Sequence, residues 1–329
     1  MAEVSAPLVG LGIIQAVLYV LFMRFVDVYE REPLRYVIPV FIWGFTVAVF
    51  FALLFNTLFA VTLTTIWTEQ ASSFLTAVVG APVIEECAKG LALLIVFAVA
   101  SLVARRRGAI EYSGVMDGIV YGSAVGFGFA IAEDLLYYVQ AGPETFVVRR
   151  IFGGFAHAAF SSLTGIGIGL IPWVRNKLLK VSLPVLGLAG AILLHALFNL
   201  TATLLGVLVY VGLFFVTLLY VLLIIGWLAV ERRIIRTELE EEVRGGTITR
   251  EDYEIVPTYF RRRAYYLRLV FSGNLAAWRR ARRVHTTAVD LAFTKRLARS
   301  TRAAPQGGRV GELRRKIRAT RSPQVSPKS

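Results

Sequence analysis

Apolar residues along this chain come in long unbroken runs rather than in alternation. Seven runs reach roughly 20 residues or more: 7–26, 36–64, 72–104, 112–139, 149–171, 181–204 and 206–230. A helix rises about 1.5 Å per residue, so about 20 apolar residues cross the roughly 30 Å of bilayer hydrocarbon. Lipid offers no hydrogen bonds to a backbone, so such runs are helical. The pattern predicts an all-α polytopic membrane protein of about seven transmembrane helices (seven to eight) with a small helical cytoplasmic tail. The first run lacks the basic start and small-residue cleavage site of a signal peptide and reads as a retained anchor. Three regions follow: a transmembrane domain over 1–230, a basic helical region over 231–302, and a Pro-, Gly-, Ser- and Arg-containing end over 303–329 that is expected to be disordered.

Composition agrees with this reading. The 329 residues are 56% hydrophobic, with a mean hydropathy of +0.64, which excludes an ordinary soluble domain. Charge adds orientation. Residues 1–230 hold 12 basic and 12 acidic side chains, which leaves 24 of the 36 basic and 10 of the 22 acidic ones for 231–329. Arg24, Arg31 and Arg35, then Arg105–Arg107, then Arg175, Lys177 and Lys180 mark alternate loops. The intervening loops carry none, apart from Arg149 and Arg150. The positive-inside rule then puts the N-terminus outside and the tail in the cytoplasm. The single cysteine, Cys87, excludes an internal disulfide and is expected as a small buried filler.

Against this apolar background a few ionisable residues stand out. Between Ser72 and Ala104 the charges are Glu85, Glu86 and Lys89, reading EExxK just after Gly80 and Pro82. A charge at membrane depth costs roughly 2.5–3.5 kcal/mol on insertion scales, so three within five residues mark a functional site. Glu85 and Lys89 are spaced i, i+4 for an ion pair, and Glu86 points about 100° away. The fourth run carries Gly118, Gly122 and Gly126, a stripe that admits a close neighbour. It continues to Phe129 and, one turn on, Glu133. The fifth offers His157 above Ser161, Gly165 and Gly169, and the sixth His195 and Asn199 on one face. Counted from the basic loops, these residues fall at one level in the outer part of the bilayer. They predict one polar, water-accessible site open to the extracytoplasmic side.

In their order on successive spans, Glu85-Glu86-x-x-Lys89, Phe129-x-x-x-Glu133, His157 and His195-x-x-x-Asn199 resemble the PrsW family of intramembrane proteases, within the CAAX-processing-type membrane protease superfamily. The juxtamembrane Asp27, Glu30, Glu32 and Pro33 are similar to that family's pattern as well, with Arg31 where a proline is common. The resemblance covers roughly residues 10–205. It implies a peptidase in a bacterial plasma membrane, cleaving membrane-protein substrates near the outer face, in some members an anti-sigma factor.

Glu85 or Glu86 is the expected general base for water, the other orienting Lys89, with Phe129 in support. His195 and Asn199 are placed to stabilise an oxyanion. Alternatively His195 joins His157 and Glu133 around Zn2+, a metal that accepts such nitrogen and oxygen donors. A metal-free, glutamate-driven reaction stays open. So do two other functions for the same residues, a catalytically silent membrane scaffold or chaperone and a proton-coupled transporter, although no inverted repeat favours the last. The tail mixes arginines with Tyr259, Tyr265, Tyr266 and Trp278, which suits amphipathic helices on anionic lipid or against the membrane domain. No motif supports nucleic-acid binding, and His285 is expected in solvent.

Overall fold

The computed structural model describes residues 6–107, 112–141, 143–301 and 307–321. Every regular element among them is helical. The chain forms two compact units, one joining the residues through Asp27 to Glu32–Ile225, the other joining Val28–Arg31 to the residues from Gly226 onward.

In the first unit, helix α1 is Ala6–Val26, and α2 (Leu34–Trp43) and α3 (Val49–Thr64) make one rod through a π-turn at Gly44–Ala48. Helix α4 (Glu69–Leu75) runs through a second π-turn, Thr76–Gly80, into α5 (Ala81–Arg107). Helices α6 (Val115–Ala141), α7 (Pro143–Gly169) and α8 (Lys177–Leu205) follow, and α9 (Val209–Arg244) begins in this unit and continues into the second from Gly226. Among the described residues six stretches are long and apolar enough to cross a membrane; α1 adds a shorter apolar stretch, Gly10–Val26, so the expected seven stands as an approximate count. The side chains of Arg105–Arg107, Arg149 and Arg150 lie outside the described residues.

Helix α6 is the axis of this unit. The apolar stretch of α6 is entirely buried, whereas those of α8 and α9 are 11% and 17% buried and show leucines and phenylalanines outward, as lipid-facing helices must. Glycine allows the central packing. A Cβ on Gly122 would stand 2.5 Å from the Ser162 Cα, and one on Gly126 would stand 2.5 Å from the His157 carbonyl oxygen. Only hydrogen fits there, and α7 therefore lies against α6 at the level of His157.

Near the starts of α2 and α6 lies a buried polar knot. Tyr121 donates to Glu32, and the Ser113 N–H donates to Asp117 at 2.7 Å. Burial, then the nearby Asp117 charge, pushes the Glu32 carboxyl well above the usual carboxylate range.

The second unit has a core of its own. Ile235, Leu239, Ile248, Val256, Ala288, Leu291 and Ala292 are buried together with Tyr29, Leu313 and Ile317. It contains α10 (Arg250–Ile255), α11 (Tyr259–Phe271), α12 (Leu275–Thr301) and α13 (Gly307–Arg321). Two expectations change here. Residues 307–321, expected without fixed structure, form a helix, because Leu313 and Ile317 supply an apolar face for α12. His285, expected in solvent, is buried and lies between Tyr266 and Asp252. Residues 302–306 and 322–329 lie outside the described residues.

A buried ion network closes this core. Lys295 donates to Glu242 at 2.7 Å and to Glu241 at 2.9 Å, and Arg314 grips Glu242 with two bonds of 2.7 and 2.9 Å. This paired arrangement satisfies charges that could not be buried alone.

Candidate functional site

The site begins at the π-turn before α5. Pro82 has no N–H, and in the π register it is the residue that should donate to the Ala77 carbonyl. The Ala81 N–H already bonds to Thr76. Ala77 is thus left with an unclaimed acceptor, and Asn199 on α8 donates to it at 2.8 Å. The local defect built by Pro82 is repaired from another helix, and that repair fixes α8 beside the start of α5. Asn199 is therefore tied to the backbone of the π-turn, not directed into the carboxylate cluster.

One turn further, the EExxK residues face inward. Lys89 is fully buried; its ammonium donates to Glu86 Oε1 at 2.8 Å, lies 3.6 Å from Glu85 Oε2 and stands 3.9 Å over the Phe129 ring. The closer partner is Glu86 at i+3, where the spacing alone favoured Glu85. Glu86 is saturated. Besides Lys89, it accepts from His195 Nδ1 at 3.0 Å and from the Ser161 hydroxyl at 3.1 Å. Glu85 differs. Its Oε2 is buried and has no hydrogen-bond partner, and it faces His195 Nε2 at 3.9 Å, beyond bonding reach.

The two histidines come from separate helices. His157 on α7 stands between Lys89, 3.0 Å from its Nδ1, and Glu133 on α6, 2.9 Å from its Nε2. Phe160 stacks on His195 at 4.9 Å, and the two imidazoles meet edge to face at 5.3 Å. Glu85, Glu86, Lys89, Phe129, Glu133, His157 and His195 thus form one cluster from four helices. Sequence reasoning missed Ser161, whose position four residues after His157 was the available signal. It also misplaced Cys87, which lies on the far face of α5 and is exposed beside the phenylalanines of α3.

A divalent cation fits part of this set. Ligand atoms of Glu85, His157 and His195 lie within 4.8 Å of one another, although His157 would ligate only by giving up its contact to Lys89 or to Glu133. Glu85 Oε2, which accepts no hydrogen bond, is the available oxygen donor. The Glu86 carboxylate at His195 Nδ1 leaves Nε2 free to ligate, the usual carboxylate–histidine arrangement behind a metal. The sequence expectation had Glu133 in place of Glu85; here Glu133 binds His157.

Comparison with known proteins agrees with the residues. The model of the PrsW family intramembrane metalloproteases matches residues 32–226. Protease PrsW of Geobacillus kaustophilus is 30% identical over 170 residues, 52% of this chain and 69% of that protein. Protease PrsW of Bacillus subtilis is 33% identical over 104 residues, 32% of this chain and 47% of that protein. Protease PrsW of Oceanobacillus iheyensis is 33% identical over 89 residues, 27% of this chain and 40% of its own length. No solved structure matches. With the family match spanning more than half of the sequence and the four-helix cluster inside it, the chain belongs to the PrsW family of intramembrane proteases and is a peptidase.

Proposed function

We propose that this protein cleaves single-span membrane proteins, an anti-sigma factor being one candidate, near the extracytoplasmic face of a bacterial plasma membrane, with Glu85 as the base that activates water. The observation that carries this reading is the contrast between two adjacent carboxylates. Glu86 spends both oxygens on Lys89, His195 and Ser161, so it serves as a positioning residue. Glu85 keeps a buried oxygen without a hydrogen bond, facing an imidazole, which is where a water molecule is bound and deprotonated.

In this mechanism Glu85 removes the proton of the attacking water. The proton that Glu85 takes from water is then delivered by its acid form to the leaving amine, while His195, its Nδ1–H held by Glu86, turns the Nε2 lone pair toward the same water. Lys89 lowers the cost of negative charge in the cluster, and Glu133 orients His157. Glu85, His157 and His195 would hold a divalent cation such as Zn2+, which when bound acidifies water and polarises a carbonyl. The N-terminus is outside and the tail cytoplasmic, where its basic surface meets anionic lipid.

The test is quantitative proteomics of membrane and secreted fragments in the native host, wild type against Glu85→Gln at equal expression. The expected result is loss of extracytoplasmic fragments from a few single-span proteins. Unchanged fragments under every stress that induces them in wild type overturn the assignment.

A further inference from the structure

The second unit contains a cleft of about 470 Å³ between the Val28–Arg31 segment, α11 and α12. Among the described residues its lining carries four guanidiniums, those of Arg31, Arg262, Arg263 and Arg282, and no carboxylate. Outside the cleft, Lys295 and Arg314 of this unit are paired with Glu242. Arg262 is buried, and its guanidinium donates to the Val28 carbonyl at 2.6 Å and the Val256 carbonyl at 3.3 Å, which hold the fork in place without neutralising its charge.

The walls are held before any ligand arrives. Tyr29 lies beneath the Arg262 guanidinium at 5.3 Å and donates to the Pro257 carbonyl at 2.7 Å. The Tyr266 hydroxyl is bonded to His285 at 3.0 Å, and His285 in turn to Asp252 at 3.1 Å. Trp278 carries the Arg282 guanidinium at 5.7 Å. Exposed Leu267 and Val270 give one apolar edge. Arginine forks with fixed geometry match the oxygens of phosphate, and an apolar edge beside them suits a hydrocarbon body. Val28–Arg31 also follows α1 directly in the chain and precedes α2 by two residues, so one wall belongs to the segment between two apolar spans.

We infer that this cleft is a specific binding site for a phosphate group joined to an apolar or small organic body, as in an anionic phospholipid headgroup or a soluble phosphate ester. The inference goes beyond the protease reading and does not depend on it. A lining of this size fits one headgroup and not a nucleic-acid backbone, which needs an extended basic track.

The experiment uses the full chain in dodecyl maltoside, with native mass spectrometry counting bound dioleoyl-phosphatidylglycerol against dioleoyl-phosphatidylcholine. Arg263→Gln/Arg282→Gln removes two exposed cleft charges. Arg244→Gln/Arg250→Gln removes two exposed charges that are paired to Glu240 and Glu254 instead. Phosphatidylglycerol is expected to bind preferentially, to lose affinity about tenfold or more in the cleft pair, and to stay within twofold in the control. Arg31→Gln, from a separate segment, repeats the loss without touching α11 or α12. Displacement by glycerol 3-phosphate identifies a soluble phosphate as the source; failure to displace identifies the lipid. Equal losses in both pairs, binding of neither phosphate, or stronger displacement by single-stranded RNA overturns the inference.

Discussion

Exchanging each of the two adjacent glutamates for glutamine should separate the reacting carboxylate from the positioning one. Glu86→Gln removes the charge nearest Lys89, a fully buried ammonium. Removing one partner of a buried ion pair costs roughly 3–5 kcal/mol. Lys89 keeps Glu85 at 3.6 Å and the His157 nitrogen at 3.0 Å, and an amide still bonds Ser161, so the expected loss lies near the lower limit, about 3 kcal/mol. Glu85→Gln takes charge from an oxygen that accepts no hydrogen bond and has only the longer contact to Lys89, 3.6 Å. Its effect on stability should be within about 1 kcal/mol, with either sign, because an unpaired buried polar group is itself costly. Its effect on rate should be larger, roughly 10²- to 10⁴-fold for loss of a general base, equivalent to about 2.7–5.4 kcal/mol in the barrier.

Two measurements on each variant decide the matter. Thermal unfolding in detergent reports stability, and turnover of a fluorogenic single-span substrate in nanodiscs, per folded molecule, reports rate. The predicted signature is crossed: Glu86→Gln is unstable, whereas Glu85→Gln is stable and inactive. A stable, inactive Glu86→Gln beside an active Glu85→Gln would refute the assignment and exchange the two roles.

Further tests follow from the same contacts. Asn199→Ala should cost about 1–3 kcal/mol by orphaning the Ala77 carbonyl, and Pro82→Ala, which restores an N–H to the π-turn, should recover part of that loss in a double-variant unfolding experiment; no recovery would reject the repair argument. In the second unit burial opposes ionisation of Asp252, yet hydrogen bonds from His285 and Thr249 hold its carboxyl below the ordinary 3.8. Because the native pKa is the lower one, its contribution is complete above that ordinary value and fades as pH falls through the native one. Acid titration of unfolding should show this fading in wild type, and Asp252→Asn should flatten it. Dialysis against a chelator followed by zinc titration should show one tight site in wild type and none in His195→Ala; equal binding by both proteins would exclude His195 as a ligand.

The sequence by itself determined the class of fold. Apolar runs of this length have one stable backbone solution in lipid, so the helices and their approximate number were legible without any contact being known. It also determined which residues would meet, since Glu85, Glu86, Lys89, Glu133, His157 and His195 are expensive in hydrocarbon and therefore must find one another. The contacts inside the cluster came only with packing. The choice between Glu85 and Glu86 depends on which oxygen Ser161 and His195 occupy, and those partners lie 75 and 109 residues away. Asn199 was read as a reacting group because its partner, a carbonyl left over by Pro82, exists only once the π-turn has formed. Cys87 and His285 were misplaced for a related reason. Periodicity gives the face of a helix a residue occupies, but whether that face meets lipid, solvent or another helix is settled by packing between elements distant in the chain.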